Sequence, residues 1–478
     1  MKPSTTSLVQ FATKLFVTTI GFIGTIIFAR ELGSSTLGIY FLAVAVLSWL
    51  EFIGQLGVSS AIRKRISERE SPDEFFSAGV ILQLSILLLL VGFLFVIHPY
   101  LNEYIGADVG LILISILVVK TIFNLIGSGL RGQHRVATAS LLDLSSQAIR
   151  TTFQIVLISL GFGLLGLLVG YAAGFTLAIV GGVALLSLKY QPARPKIEHF
   201  RRLLEFARYS WLGALKTRTS AWTDTIVLGF FVAPDLIGIY EVSWNIATVL
   251  ALASQSISSA LFPTMSELST KNRDNEVRSL LEQSLIYAGI VAIPGAVGAI
   301  LIAPDLLHFY GSEFTKGGLI LALLSIFAIF SSYEGQLQNG LSALDRPDLA
   351  FRSNALFISS NLIANATLVV TFGWIGAAIA TMISMLISLG YAFYAVRHVI
   401  GASVPYRELG YQGIAAGIMG LVVTSVESMI SAYPYYYVLI SVGIGVIVYF
   451  TVLLSFSSRV RSKVFDLLKE LYVSDLLK

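Results

Sequence analysis

The strongest constraint in this sequence is a long succession of apolar runs, each about 20 residues long and separated by charged residues, Pro or Gly. Roughly 20 residues of α-helix cross a hydrocarbon core about 30 Å thick. Hydrophobic residues make up 55% of the chain and charged residues only 13%, which excludes a soluble globular fold. The runs therefore predict an all-α polytopic membrane protein with about 14 transmembrane helices.

The chain also repeats itself in order, which indicates an internal duplication. Each of three short segments in the first half returns about 200 to 211 residues later: Leu37-Gly38-Ile39-Tyr40 as Ile237-Gly238-Ile239-Tyr240, Gly129-Leu130 with Arg135 as Gly340-Leu341 with Arg346, and Phe162-Gly163 as Phe372-Gly373. Each half holds six predicted spans, and an even number gives both halves the same orientation. The expected fold is thus two parallel six-helix repeats plus two C-terminal helices.

The domain organisation follows from the repeat and from the charges between spans. We expect five segments, namely an N-terminal six-helix lobe at 1–188, a cytoplasmic amphipathic linker at 189–207, a C-terminal six-helix lobe at 208–398, two extra transmembrane helices at 411–456, and a cytoplasmic amphipathic tail at 457–478. Most Lys and Arg residues between spans fall on one side, which predicts that both termini are cytoplasmic.

Several kinds of chemistry are excluded or disfavoured by composition. The chain has no Cys and only five His, so neither thiol chemistry nor a metal site is expected. It lacks the phosphate-binding loop of ATP-hydrolysing proteins, and the predicted outer connections are too short for a catalytic domain. The net charge of +4 reflects the topology rather than nucleic-acid binding. We therefore expect a non-enzyme with no catalytic residues and no cofactor. The sequence does not determine the oligomeric state, for which a monomer is the default.

Ionisable residues inside the predicted spans are the candidates for function, because each costs about 2.5–3.5 kcal/mol at the membrane centre. The cations expected to bind an anionic substrate in a cavity are Lys14, Lys120, Arg150, Lys216 and Arg218. The acids expected to pair with those cations, or to couple transport to H⁺ or Na⁺, are Glu51, Asp143, Asp224 and Glu334. Glu241 lies near a predicted span end, where its side chain is expected to reach the interface.

Neutral polar residues extend these positions into stripes. Asp143, Gln147, Arg150 and Gln154 follow i, i+4, i+7 and i+11, which places them on one helical face. The residues expected to line the cavity are Asn124, Gln147, Gln154, Asn245, Gln255, Asn354, Asn361 and Asn365. The alternative for each is a hydrogen bond that holds two helices together.

Two elements, Ala29-Arg30-x-Leu32-Gly33 and Gly38-x-Tyr40, appear together with this topology. The chain thereby resembles the polysaccharide flippases of the multidrug/oligosaccharidyl-lipid/polysaccharide exporter superfamily. The resemblance implies two MATE-like lobes, alternating access, a plasma-membrane location, and export of oligosaccharides linked to a polyprenyl phosphate or diphosphate. Glycan-assembly enzymes and membrane lipids are the partners that it implies.

Three alternatives remain open at this point. An ion-coupled drug or small-molecule exporter of the same fold would favour acids over cations in its cavity. A flippase for peptidoglycan precursors would use the same recognition of a diphosphate. A membrane glycosyltransferase or polymerase would need a sizeable loop to carry its catalytic groups.

Overall fold

The computed structural model describes residues 3–187, 190–430 and 434–462, and every regular element in these ranges is helical. The helices are α1 (Pro3–Gln55), α2 (Val58–Ser67), α3 (Pro72–Ile105), α4 (Gly110–Gly132), α5 (Val136–Ser159), α6 (Gly163–Ser187), α7 (Ile197–Phe231), α8 (Pro234–Val249), α9 (Leu252–Thr270), α10 (Asp274–Leu301), α11 (Ala303–His308), α12 (Gly318–Ala343), α13 (Pro347–Ile400), α14 (Tyr406–Ile430) and α15 (Pro434–Phe456). A 3₁₀ turn, Ser312–Gly317, precedes α12. The all-α fold is confirmed.

The predicted number of spans is consistent with these helices. Within the described residues, nine helical segments are long and apolar enough to cross a membrane. Two of them, α1 and α13, are interrupted by non-helical residues at Gly33 and Gly373, so each supplies two spans. The bent pair α8 and α9 forms one more. The remaining predicted spans, α5 and α7, are helical but carry the polar residues that lower their hydropathy.

The repeat is visible in the backbone. His134 and Asp345, which precede the matched Arg135 and Arg346, both adopt positive φ, at 60° and 55°. In both turns the amide that follows donates to the carbonyl five residues back, Arg135 to Leu130 and Arg346 to Leu341, at 3.0 and 2.9 Å. Gly163 and Gly373 also match, with φ of 52° and 56°. The two halves thus build the same turns at the same places.

The motif that opens each half makes a reciprocal contact. A Cβ atom on Gly38 would overlap the carbonyl of Pro234, and a Cβ on Gly238 would overlap the carbonyl of Ser34. Both positions are helical, so the close approach, rather than an unusual φ, requires glycine. The repeated segments therefore cross backbone to backbone.

The chain divides into two compact units, Met1–Glu241 with Val369–Trp374, and Val242–Leu368 with Ile375–Lys478. This division follows packing, whereas the predicted lobe boundaries follow the repeat and stay a prediction. In the second unit, α14 and α15 pack on α10 through a cluster that includes Met419, Val423 and Leu453. An apolar cavity of about 300 Å³ lies among these helices and α8. The predicted tail lies outside the described residues beyond residue 462.

The residues predicted to form a linker include the first turns of α7, and these turns pack on α2 and α3 within the first unit. Leu203 is fully buried in a cluster with α2 and α3. Arg202 donates to Glu70 at 2.9 Å and lies 3.8 Å from Glu68. Burial acts to raise the pKa of Glu68, but the hydrogen bond and charge of Arg65 outweigh it, so the pKa lies below its usual value. This segment is therefore tied to the first unit by apolar contacts and by charges.

Candidate functional site

A buried ion pair joins α1 to α4 in the first unit. Lys120 Nζ lies 2.8 Å from Glu51 Oε2, and the two side chains are only 12% and 9% exposed. Removing one partner of such a pair leaves an uncompensated buried charge. The structure thus brings together one predicted cation and one predicted acid that are far apart in the sequence.

The other oxygen of the same carboxylate is also occupied. Asn124 Nδ2 donates to Glu51 Oε1 at 2.6 Å, and Gln55 Nε2 donates to it at 3.0 Å. Asn124 lies one turn after Lys120 on α4, and Gln55 lies one turn after Glu51 on α1, so helical spacing puts all three donors on the facing surfaces. One ammonium and two amides therefore converge on a single carboxylate.

Tyr171 on α6 links Lys120 to the next cation. Lys120 Nζ donates to Tyr171 Oη at 3.2 Å, and the Arg150 guanidinium carbon lies 4.7 Å from the centre of the Tyr171 ring. Among the described residues no carboxylate pairs with Arg150, and its buried Nε has no hydrogen-bond partner. Arg150 therefore holds a positive charge that the described part of the chain does not neutralise.

Close packing of α5 on α6 fixes the position of Arg150. A Cβ on Gly174 would lie 2.5 Å from the Arg150 Cβ, and a Cβ on Gly170 would lie 2.6 Å from the Gln154 backbone nitrogen. These two glycines let the helix backbones approach closely. Sequence reasoning missed Tyr171, although its place between Gly170 and Gly174 was a signal that this part of α6 faces another helix.

The other residues of the α5 stripe differ in burial and in their partners. Gln154 is 1% exposed and donates to Tyr40 Oη at 3.0 Å and to the Leu167 carbonyl at 2.8 Å, which is the packing role. Gln147 is half-buried and faces Gly21 of α1. Asp143 pairs with Arg131 at 2.5 Å on α4. Contact of these residues with a substrate stays a prediction.

The cations of α7 lie on the same unit. The Arg218 guanidinium lies 6.0 Å from the ring centre of Phe52, the residue next to Glu51. Trp211 stacks on that ring, with 5.0 Å between ring centres, and its indole N–H donates to the Phe52 carbonyl at 3.1 Å. Lys216 is half-buried on the same helix. The side chain of Lys14 lies outside the described residues.

Two buried acids, Asp224 and Glu241, lie between α7 and α8. Tyr240 donates to Asp224 at 2.6 Å, and Thr225 donates to Glu241. Glu241 is only 3% exposed, so the expectation that it reaches the interface is wrong. Helix α8 begins at Pro234, which places Glu241 two turns inside the helix and against α7.

The second unit contains a polar cluster of amides, hydroxyls and one acid. Gln338 Nε2 donates to Glu334 Oε1 at 2.8 Å and to Asn354 Oδ1 at 3.1 Å, and Ser388 donates to Glu334 at 3.0 Å. Glu334 is 4% exposed. Gln338 was not singled out from the sequence, although it lies one helical turn after Glu334.

The other predicted polar residues of this unit differ in burial. Asn361 and Asn365 are both fully buried. Asn361 donates to Thr381 at 3.0 Å across the break at Gly373, which is a packing role, whereas Asn365 donates to the Asn361 carbonyl on its own helix at 3.1 Å. Asn245 is half-buried and Gln255 is exposed. In the described part of the chain, no group of three or more His, Asp and Glu residues is placed to bind a metal ion.

Comparisons with known proteins identify a family and a fold for the chain. Residues 5–269, more than half of the chain, match the family described as "Polysaccharide biosynthesis protein". The chain is 34% identical over 469 residues to "Probable flippase AglR" of Haloferax volcanii, covering 97% of this chain and 98% of that protein. It is 27% identical to "Probable low-salt glycan biosynthesis flippase Agl15" of the same organism, covering 94% and 95%. A solved structure titled "Lipid II flippase MurJ, inward closed conformation" shares the fold, with a TM-score of 0.80, 18% identity, and coverage of 94% and 98%.

Proposed function

Because the chain belongs to the polysaccharide biosynthesis protein family, we propose that it is a flippase for glycans linked to a polyprenyl phosphate or diphosphate. It takes the headgroup from the cytoplasmic leaflet of the plasma membrane and releases it at the outer leaflet by alternating access. Both termini lie in the cytoplasm. The names of the two Haloferax relatives support a flippase, and the name of Agl15 also supports a part in glycan biosynthesis.

The observation that carries the proposal is the charge of Arg150. It is held against the ring of Tyr171, beside Lys120, and the described residues supply no carboxylate to pair with it. A guanidinium in a partly buried site binds phosphate oxygens through charge-assisted hydrogen bonds, which are stronger than neutral ones. An anionic headgroup supplies the missing negative charge.

The lipid chain of such a substrate needs an apolar surface. The cavity among α8, α10, α14 and α15 is lined almost wholly by apolar side chains such as Pro294, Met419 and Val446. Its composition suits an isoprenoid chain, and it lies in the two C-terminal helices and their neighbours. Within the second unit by itself, the chain thus supplies an apolar surface of the kind that such a lipid chain needs.

A drug exporter of the same fold is the less favoured candidate. Cationic drugs would bind to a buried acid, and the acid of the Lys120 and Arg150 site, Glu51, already accepts hydrogen bonds from Lys120, Asn124 and Gln55. A peptidoglycan-precursor flippase shares the need for cations, and its support here is likeness of fold. In either case the protein acts as a transporter without a catalytic step, as a monomer, next to the enzymes that assemble the glycan.

The test is transport in proteoliposomes. Purified protein is reconstituted with a fluorescent lipid-linked oligosaccharide, and movement between leaflets is followed with and without a proton or sodium gradient. We expect wild type to move the lipid and Arg150→Gln to lose most of that activity. The matched control is Arg201→Gln, because the Arg201 side chain is 80% exposed on the start of α7. Absence of movement by wild type under every gradient would reject the proposal.

A further inference from the structure

We infer that Glu51 is an internal competitor of the anionic headgroup, a carboxylate that holds the Lys120 ammonium until a phosphate oxygen displaces it. The inference rests on the proposed function in one respect, since it takes the headgroup to carry phosphate. It assigns to Glu51 a role in affinity and release that neither a packing role nor ion coupling would give.

The donors around Glu51 converge on its carboxylate. Lys120, Asn124 and Gln55 direct three donors at one carboxylate, at 2.8, 2.6 and 3.0 Å. Carboxylate and phosphate oxygens are acceptors of the same kind, and both form short, charge-assisted bonds with ammonium and amide groups. The three donors therefore form a binding site for an oxyanion, and in the described structure the carboxylate of Glu51 fills that site.

The two cations around Tyr171 differ in whether a carboxylate neutralises them. Both lie within 6 Å of its ring centre, Lys120 Nζ at 5.5 Å and the Arg150 guanidinium carbon at 4.7 Å. Lys120 is neutralised by Glu51, whereas no described carboxylate pairs with Arg150. An incoming headgroup consequently binds Arg150 first and gains Lys120 only when Glu51 moves away.

A displaced Glu51 carboxylate has a second cation, Arg218, on the same unit. Glu51 lies in the last two turns of α1, which ends at Gln55 and is followed by Gly57 at a φ of 78°. Arg218 lies over the ring of Phe52, the next residue, and attracts the Glu51 carboxylate. In this proposal Glu51 turns from Lys120 towards Arg218 when the headgroup arrives, and later returns to drive the headgroup off Lys120.

The test measures binding of inorganic diphosphate to the full-length protein in detergent by isothermal titration calorimetry. Glu51→Gln keeps the shape of the side chain and removes its charge, so we expect about tenfold tighter binding than wild type. Glu51→Asp keeps the charge on a shorter arm and is expected to fall between the two. The matched control is Glu205→Gln, an exposed acid paired with Arg201, which should bind like wild type.

Transport separates competition from a structural role. In the proteoliposome assay we expect Glu51→Gln to move lipid more slowly than wild type, because the headgroup is no longer displaced from Lys120. Tighter binding with slower turnover is a combination that loosened packing would not produce. Equal or weaker diphosphate binding by folded Glu51→Gln protein would overturn the inference, even if its melting temperature falls because Lys120 has lost its carboxylate partner. If that variant does not fold, Glu51→Asp decides by the same measurement.

The two proposals fail in different ways. Wild type that moves no lipid-linked glycan, together with tighter diphosphate binding by Glu51→Gln, would reject the flippase and keep the competition at this anion site. Wild type that moves the glycan, together with unchanged binding by Glu51→Gln, would keep the flippase and reject the competition.

Discussion

The helix pair α4 and α5 and its repeat counterpart α12 and α13 carry different chemistry on the same scaffold. At the offset of the matched turns, Asp143 corresponds to Asn354, Arg150 to Asn361, and Gln154 to Asn365. In the first pair, charged side chains meet across helices, as in Arg131 with Asp143. In the second pair, amides meet instead, as where Gln338 of α12 donates to Asn354 of α13 at 3.1 Å.

The difference teaches that backbone symmetry and charge asymmetry can coexist. Turns and glycine positions match in both halves, because they determine whether the helices can pack at all. The membrane-embedded cations of the α5 stripe and of α4 have no charged counterparts at the equivalent positions. We therefore propose that the anion is recognised in the first repeat, while the second supplies a polar framework of amides, hydroxyls and the acid Glu334.

The largest effect is expected when Lys120 is replaced by Ser, the residue at its repeat position, 331. Glu51 then stays buried without its ammonium partner, and the stability should fall by about 3–5 kcal/mol. Thermal unfolding in detergent measures this loss. The double variant Lys120→Ser, Glu51→Gln should recover most of it, and a double variant as unstable as the single one would show that the pair does not contribute in this way.

Arg150→Asn replaces the second cation by the residue at its repeat position, 361, and should weaken diphosphate binding without lowering stability. We expect diphosphate binding to weaken by about tenfold to a hundredfold, since a hydrogen bond to a charged group is worth about 1.5–3 kcal/mol. Stability should change little, because no described carboxylate loses a partner. Calorimetry and a melting curve on the same preparation measure both, and unchanged affinity would contradict the prediction.

Gly38→Ala and Gly238→Ala test the close backbone crossing, a feature that the two repeats share. Each added methyl group meets the backbone of the other segment, so both variants should lose about 1–3 kcal/mol of stability by overpacking, and to a similar extent. Gly92→Ala in α3 is the matched control, because open space surrounds that position. Unequal losses would mean that the crossing is not reciprocal.

Asn361→Ala should have the smallest effect. It removes the hydrogen bond to Thr381, at a cost of about 1 kcal/mol in stability. Binding of diphosphate should stay at the wild-type value, in contrast to Arg150→Asn at the equivalent position. A binding loss comparable to that of Arg150→Asn would place the second repeat in the anion site as well.

Sequence reasoning reached the helices and the repeat because both are local or periodic properties. A span shows itself by length and apolarity, and the turns around His134 and Asp345 are encoded by neighbouring residues. The same reasoning identified Glu51, Lys120 and Arg150 as costly residues that need partners.

The partners themselves could not be predicted, because periodicity gives the face of a helix and not the helix that faces it. The contact of Glu51 with Lys120 depends on how α1 packs against α4, and that of Arg150 with Tyr171 on how α5 packs against α6. Glu241 was misplaced for a related reason. A span read from hydropathy alone does not show where helix α8 begins.

The low hydropathy of α5 and α7 has a consequence for biosynthesis. A helix that carries Asp143 and Arg150 enters a bilayer poorly as an isolated segment, since each central charge costs about 2.5–3.5 kcal/mol. Helix α5 therefore depends on α4, which supplies Arg131, and on α6, which covers Arg150 with Tyr171. In a cell-free insertion assay we expect α5 alone to remain outside the membrane and the three-helix segment α4 to α6 to insert. On this expectation, the residues that we propose to recognise the headgroup also determine how many helices must be synthesised before this part of the chain can leave the translocon.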